Sequence, residues 1–300
     1  MFNKVVIFGV GLIGGSFALA LKQAGAATKV FGIDRSEQAM LRALQLGIVD
    51  EIGSRVEDAM RGADFVLLAA PVAQTGAILA SLAPYLEPHT IITDAGSTKG
   101  DAAAAAYAAL KDRAAQFVPG HPIAGRESNG PDAAVADLFR GKKAVLTPLP
   151  ENARADVKRV AAAWTACGAS VHALSAEEHD RVFAAVSHLP HLLAYALVDD
   201  IATRPHANRL FQYAASGFRD FTRIAGSSPE MWRDITLANK GALLGEIDAF
   251  MAQMGTLRAK LAAGDGAAIE AVFASAQRAR QQWIETIEAA EAPRPQGTDE

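Results

Sequence analysis

The sequence predicts an α/β protein: a doubly wound parallel sheet in the N-terminal part, followed by an all-helical part. Three observations carry this. Up to residue 174, short β-branched runs alternate with helical patterns, which is the signature of βαβ units. Several of those runs are apolar almost throughout, as strands covered on both faces are. From Ser175 onward strand-like runs give way to long amphipathic patterns with helical spacing.

The first strand is "KVVIF" (4–8), followed by a helix to about Ala24 with Gly25 as its stop. "KVFGID" (29–34) is the second strand and leads into another helix. "DFVLLAA" (64–70) and "TIITDAG" (90–96) continue the sheet. A strand-like "AQFVPG" enters the stretch "GHPIAGRESNG" (Gly120–Gly130), which is too punctuated for a helix and too polar for a buried strand, so a loop is expected. "KAVLTP" (143–148), a helix over 152–166 and "SVHAL" (170–174) complete the sheet. Helices are expected over 176–186, 189–203, 208–217, 229–261 with a break, and 266–289. The domain boundaries predicted are therefore 1–174 and 175–290. The tail 291–300, "EAPRPQGTDE", has two prolines and hardly an apolar residue and is expected to be disordered.

Composition narrows the function. Half of the 300 residues are of apolar type and 21% are charged, enough to build a sizeable core. A formal charge of −4 and the absence of any Lys/Arg-rich run speak against nucleic acid as a partner. Cys167 is the single cysteine, so no intrachain disulfide can form and a Cys-based metal site would lack ligands; no metal is expected. The N-terminal apolar run is broken by glycines too early for a signal peptide or a membrane span, so a cytoplasmic, non-membrane protein is expected.

"GVGLIG" (Gly9, Gly11, Leu12, Ile13, Gly14) sits directly after the first strand and opens the first helix. In that context it reads as the Rossmann-type dinucleotide turn. Gly9 permits the tight bend, Gly11 lets backbone approach a pyrophosphate, and Gly14 lets helix and sheet pack closely. Asp34, about twenty residues past Gly14 at the end of the second strand, is placed to accept hydrogen bonds from the adenosine ribose hydroxyls and to repel a 2′-phosphate. NAD is the expected cofactor, with Arg35 a neighbour that can also serve a phosphate. Ala70 and Pro71 in "AAPV" complete the candidate cofactor residues.

In a doubly wound sheet ligands lie beyond the carboxyl ends of the strands, where "DAGSTKG" (94–100) and His121 both fall. A neutral imidazole there can take a hydroxyl proton while hydride leaves the same carbon, and Ser97 can hydrogen-bond the imidazole or the hydroxyl. With the glycine turn, "AAPV", "DAGSTKG" and "GHPIAG", the segments "SHLPHLLAYAL" (187–197) and "GFRDFTRIAGSSPEMWRDI" (217–235) resemble the prephenate dehydrogenase family, which includes the arogenate and cyclohexadienyl dehydrogenases of tyrosine biosynthesis. The resemblance covers residues 1 to about 290.

The resemblance implies an oxidative decarboxylation: hydride passes from the ring carbon bearing the 4-hydroxyl to nicotinamide, and carbon dioxide leaves as the ring becomes aromatic. It implies that His121 accepts the hydroxyl proton, that Ser97 assists it, that His191 lines the substrate pocket, and that Arg223 holds a substrate carboxylate. Glu127 and Trp232 match further pocket positions. Arg126 stands where some members carry a small or hydroxylated residue, which leaves prephenate, arogenate or both as substrates. A fixed guanidinium suits a dianionic substrate, and between Phe221 and Ile224 the Arg223 charge has an apolar setting that calls for a purpose. His188 reads as a capping or supporting residue, Arg219 as structural or interfacial, and His89, His172, His179 and His206 have no assigned role. A homodimer through the helical domain and a stand-alone catalytic core are expected.

Three other readings compete. An arogenate-specific or NADP-using member of the same family would show the same motifs. A β-hydroxyacid dehydrogenase would call for a catalytic lysine in the second domain, where Lys240 lacks the surrounding motif. A non-catalytic nucleotide-sensing protein would leave Ser97, His121, His191 and Arg223 unexplained.

Overall fold

The computed structural model describes residues 1–126 and 128–291. The chain falls into two compact units, the first running from Met1 to Leu243 and the second beginning at Leu244. Glu127 and residues 292–300, most of the expected tail, lie outside the described residues.

The first unit is built on a six-stranded parallel sheet. Its strands are β1 (Phe2–Phe8), β2 (Ala27–Ile33), β3 (Glu51–Ile52), β4 (Phe65–Leu68), β5 (Ile91–Asp94) and β6 (Phe117–Val118), in the order β3-β2-β1-β4-β5-β6. This is the doubly wound order, with the strand sequence reversing between β1 and β4. The linking helices are α1 (Leu12–Gln23), α2 (Glu37–Gln45), α3 (Val56–Met60), α4 (Thr75–Leu82) and α5 (Gly100–Leu110). Alternation along β1 divides the core: Val5 and Ile7 pack on one face with Phe17, Phe65 and Trp164, while Val6 and Phe8 pack on the other with Val66, Leu79 and Phe117.

The segment expected to be a loop after β6 begins instead as a strand. β7 (Gly120–Pro122) pairs antiparallel with β8 (Lys143–Leu146), which pairs parallel with β9 (Ser170–Ala173) across α6 (Arg154–Ala166), so a second, three-stranded sheet forms. The cause lies at Pro119, which has no N–H to extend the parallel ladder; its carbonyl instead accepts from Thr147 N–H at 3.0 Å, and the chain changes sheet there.

Helices follow: α7 (Ala176–Phe183), α8 (Leu189–Ala202), α9 (Ala207–Gln212), α10 (Ser216–Thr222) and α11 (Pro229–Ala238). Ser175 caps α7 by accepting from Glu178 N–H, and Ser228 caps α11 through Met231 N–H. Between α7 and α8 the residues Ala184–His188 form a π-turn; Pro190, at the start of α8, lacks the N–H that an uninterrupted helix would need there. The stretch Ala176–Ala202 is long and apolar enough to cross a membrane by length and composition, yet His179 and His188 within it are core residues of this unit. The helix expected over 208–217 is divided between α9 and α10, and the break expected within 229–261 falls at Asn239.

Helix α12 (Lys240–Ala262) carries the chain into the second unit, which also contains α13 (Gly266–Glu291). In that unit Leu244, Met251, Met254, Leu261, Phe273 and Trp283 are exposed.

Candidate active site

The glycine turn has the geometry its sequence asks for. Gly9 has φ +96°, and a Cβ there would lie 2.5 Å from the Ala69 carbonyl oxygen. A Cβ on Gly14 would meet the Gly9 carbonyl oxygen at 2.0 Å, so α1 can start this close to β1 only without one. Gly11 caps α1 with no side-chain hydrogen bond, and a Cβ placed on it would meet nothing within 4 Å. The first-turn N–H groups and the positive end of the helix thus border open space, which suits a pyrophosphate. Leu12 is buried; Ile13, Ala70 and Pro71 are half-buried along the turn and the end of β4.

Asp34 follows β2 and is held in place: one oxygen accepts from Val10 N–H at 3.0 Å, the other from Ser36 N–H at 2.9 Å. An ionised carboxylate has about four acceptor sites, so capacity remains for ribose hydroxyls. Arg35 is exposed and faces Glu230 of α11 at 3.6 Å.

At the other side of the carboxyl edge, β5 ends in a buried ionic knot. Lys99 has no exposed surface; its ammonium donates to the Asp94 carboxylate and, at 2.6 Å, to the Gly120 carbonyl. Asp94 also accepts from Gly96 N–H and Gly120 N–H, each at 2.9 Å. The loop carrying Ser97 and the strand carrying His121 are thereby tied to one charge pair. Ser97 is half-buried.

His121 lies on β7, opposite Val145 of β8. Its Nδ1 is 2.8 Å from Nε2 of His179, and its ring packs 4.8 Å from that of Phe183, centroid to centroid. Part of the residue's surface is exposed, yet the ring lies deep enough for burial to dominate its titration. Burial, with the charges of His179, Lys99 and His188, holds the imidazole well below its usual pKa, so it is a neutral acceptor at physiological pH.

His179 was expected to have no role, its place near the start of a polar helix suggesting a surface residue. It is instead fully buried, with Nδ1 2.8 Å from Asp180. Asp180 accepts from Lys99 N–H and Gly100 N–H, both at 2.8 Å, and so caps α5 from a helix 80 positions further along the chain. Burial pushes the Asp180 carboxyl up, but hydrogen bonds from His179, Gly100 and Lys99 outweigh it and hold it below the usual carboxylate range.

His188 is buried and does not cap α8. Its Nδ1 is bonded to Asn239 Nδ2, which also donates to the Asp180 carbonyl. Its Nε2 makes no hydrogen bond of good geometry, although the Ser97 backbone lies close enough to favour the proton; burial prevails and pushes the imidazole down to about 4. His188 links two groups, being near His179 on one side and near His191 and Trp232 on the other. His191 stacks on Trp232 with ring centroids 3.5 Å apart and anchors Nδ1 on the Ser187 carbonyl at 2.9 Å. Burial lowers its pKa, and the Arg223 charge adds to this. Trp232 is buried with an indole N–H that has no partner.

The structure therefore brings His121, the Ser97 backbone, His191 and Trp232 to His188, with Arg223 near His191. Arg223 is exposed and its neighbour Phe221 is 54% exposed, so the apolar setting expected for this charge is not present. Arg126 is exposed in a surface depression with Asp137, Arg140 and Lys142, where no other candidate among the described residues lies. Arg219 is exposed. Lys99, His179, Asp180 and Asn239 were not singled out in the sequence; each has a partner more than 50 positions away, and the local pairs, Lys99–Asp94 in "DAGSTK" and His179–Asp180, gave no sign of those distant contacts.

Two family models match the chain consecutively: the prephenate dehydrogenase nucleotide-binding domain over residues 17–173 and the prephenate dehydrogenase dimerization domain over 175–275. The chain belongs to the prephenate dehydrogenase family. Among curated members it is 38% identical over 284 residues to the cyclohexadienyl dehydrogenase of Zymomonas mobilis, covering 93% of this chain and 96% of that one. It is also 38% identical to the prephenate dehydrogenase of Bacillus subtilis, covering 86% of this chain and 70% of the relative. The prephenate dehydrogenase of Aquifex aeolicus, solved in complex with hydroxyphenyl propionate and NAD+, superposes with a TM-score of 0.88 at 36% identity, covering 94% of this chain and 98% of that one. The nucleotide-binding family model spans β2 to β9, and the dimerization model begins at residue 175, where α7 follows.

Proposed function

We propose that this oxidoreductase carries out the NAD-dependent oxidative decarboxylation of prephenate to 4-hydroxyphenylpyruvate, the step that serves tyrosine biosynthesis. The observation that carries the reading is a neutral, half-buried His121 at the carboxyl edge of a dinucleotide sheet, bonded to His179 and near His188, which in turn neighbours the Ser97 backbone, His191 and Trp232, with Arg223 near His191. Gly9, Gly11, Leu12, Ile13 and Gly14 would hold the pyrophosphate, Asp34 the adenosine ribose, and Ala70 and Pro71 the adjoining wall. When bound, the nicotinamide supplies the acceptor for the hydride that leaves the hydroxyl-bearing ring carbon. His121 takes the hydroxyl proton, carbon dioxide departs from the opposite ring carbon, and the electron pair it leaves behind makes the ring aromatic. Ser97 orients the hydroxyl, Arg223 holds a substrate carboxylate, and the Trp232–His191 stack forms a flat wall for the ring.

The Asp34 carboxylate favours NAD over NADP, because a 2′-phosphate would face a like charge. Arogenate, which has the same ring, is a second substrate in this reading, supported by the likeness to a cyclohexadienyl dehydrogenase. We place the working division at Leu174, with residues 1–174 binding nucleotide and 175–290 forming the substrate and dimerisation part. The exposed apolar side chains of α12 and α13 support a homodimer through the helical region. Cytoplasmic localisation fits a chain with a single, buried cysteine.

The test is a steady-state assay of prephenate and arogenate, each with NAD and NADP, on the native protein and on His121→Asn. The expected result is turnover of prephenate with NAD and a loss of ~100-fold or more in kcat for the variant, the scale of losing a positioned general base. A variant with near-native kcat would mean that His121 is structural.

A further inference from the structure

We propose that His179, held by Asp180, is a positioning residue that fixes which nitrogen of His121 is free to accept a proton. The inference rests on the reading of His121 as the base and adds the groups that set its tautomer.

The assignment follows from counting protons along one chain of hydrogen bonds. Asp180 already accepts two backbone N–H groups at the start of α5, from Lys99 and Gly100, and as a carboxylate it can only accept. The nitrogen facing it, His179 Nδ1 at 2.8 Å, must therefore carry a hydrogen. His179 has no exposed surface and lies near the Lys99 ammonium, and both circumstances disfavour a second proton on its ring. Its Nε2 is then a lone pair. The 2.8 Å contact between that nitrogen and His121 Nδ1 needs one hydrogen, which only His121 can supply. His121 is thus the Nδ1–H tautomer, and its Nε2 is left bare to receive the hydroxyl proton.

Two further features make the arrangement directional. His121 Nδ1 can donate to His179 but cannot accept from it, so rotating the ring or moving its hydrogen from Nδ1 to Nε2 breaks the chain at its first link. Asp180 is also pinned by the peptide groups of Lys99 and Gly100, and the Lys99 side chain reaches the Gly120 carbonyl next to His121. The carboxylate that orients the imidazoles is therefore anchored to the loop that carries Ser97. When His121 takes up a proton, the imidazolium formed donates through Nδ1 into an imidazole that is itself bonded to a fixed carboxylate. A carboxylate bonded directly to a catalytic histidine serves the same end in serine hydrolases; here one imidazole is interposed.

The decisive measurement is a long-range proton–nitrogen correlation spectrum of the full-length protein labelled with nitrogen-15 in histidine, at pH 7.5, with His121 assigned by its absence in His121→Asn. The expected spectrum shows His121 protonated on Nδ1 and bare on Nε2. His179→Gln, whose amide oxygen can replace the imidazole lone pair, should keep that tautomer and most of the turnover. His179→Leu should lose it and lower kcat by ~10-fold or more, with KM for prephenate within about threefold of native, since the loss falls on the proton transfer and not on binding. A native spectrum with His121 protonated on Nε2 would overturn the proposal, as would a His179→Leu protein whose His121 tautomer and kcat are unchanged; if His179→Leu does not fold, the native and His179→Gln spectra decide. The tautomer is read without substrate, so a native protein that shows it but does not oxidise prephenate counts against the proposed reaction and not against this pairing.

Discussion

Lys99→Met should destabilise the protein strongly and at the same time shift its pH dependence. The Lys99 ammonium is fully buried, with Asp94 and the Gly120 carbonyl as its partners. Without it the Asp94 carboxylate, 2% exposed, has lost its counter-charge but still accepts two backbone N–H groups. Breaking a buried pair from one side costs about 3–5 kcal/mol, and the two retained bonds place this case at the low end, about 3 kcal/mol. In a compact unit running from Met1 to Leu243, 1 kcal/mol moves the midpoint by about 2–4 °C, so Tm should fall by about 6–12 °C. The double variant Asp94→Asn/Lys99→Met removes both charges and should recover most of the loss. The Lys99 charge also lowers the His121 pKa, so in the single variant the acid limb of kcat/KM should move to higher pH. Scanning calorimetry and a pH–rate profile check the two outcomes. A single variant melting within about 2 °C of the native protein, or a double variant whose loss is the sum of the two singles, would refute the reasoning.

Acid should weaken the fold through its neutral histidines. In the fold His188 protonates only near 4, against ~6.5 in the unfolded chain, so its contribution is complete above 6.5 and is lost as pH falls toward 4, a change of about 3 kcal/mol. His121, His179 and His191 shift in the same direction and steepen the loss; urea titrations at pH 7, 5 and 4 on native and His188→Gln protein should show a smaller acid loss in the variant. Asp34→Ser should lower kcat/KM for NAD by ~10-fold and narrow the gap to NADP, as removing one like-charge contact implies; an unchanged cofactor ratio would exclude Asp34 from the ribose site. Arg223→Ala should raise KM for prephenate by ~10-fold or more and change kcat less, the pattern of a lost carboxylate contact, and an unaltered KM would exclude that role.

The parts of the fold that could be read from the sequence are those whose signal is local. β1, the glycine turn and α1 stand in one run of 22 residues, and the turn chemistry of Gly9 and Gly14 requires only its own neighbours. The switch of β7 into a second sheet depends on which strand lies opposite, and Val145 is 24 positions away, so a polar, glycine-punctuated stretch read as a loop. The same holds in the site. His121 and Ser97 stand in short motifs, whereas His179 is recognisable only once α7 has packed against β7, 58 positions away. Its sequence surroundings, Glu177, Glu178 and Asp180, are those of a solvated helix face, and burial of one histidine on that face is decided by tertiary packing alone.

Placing His121 on a strand has a bearing on how this pocket can change. β7 is anchored beyond both ends, by Thr147 N–H on the Pro119 carbonyl and by Ile123 N–H on the Lys143 carbonyl at 2.7 Å, and the segment bearing Arg126 starts only after the second anchor. The base and the segment that follows it are therefore mechanically separate. Substitutions or short insertions after this anchor can therefore change the surface around Arg126 while His121 keeps its place on β7.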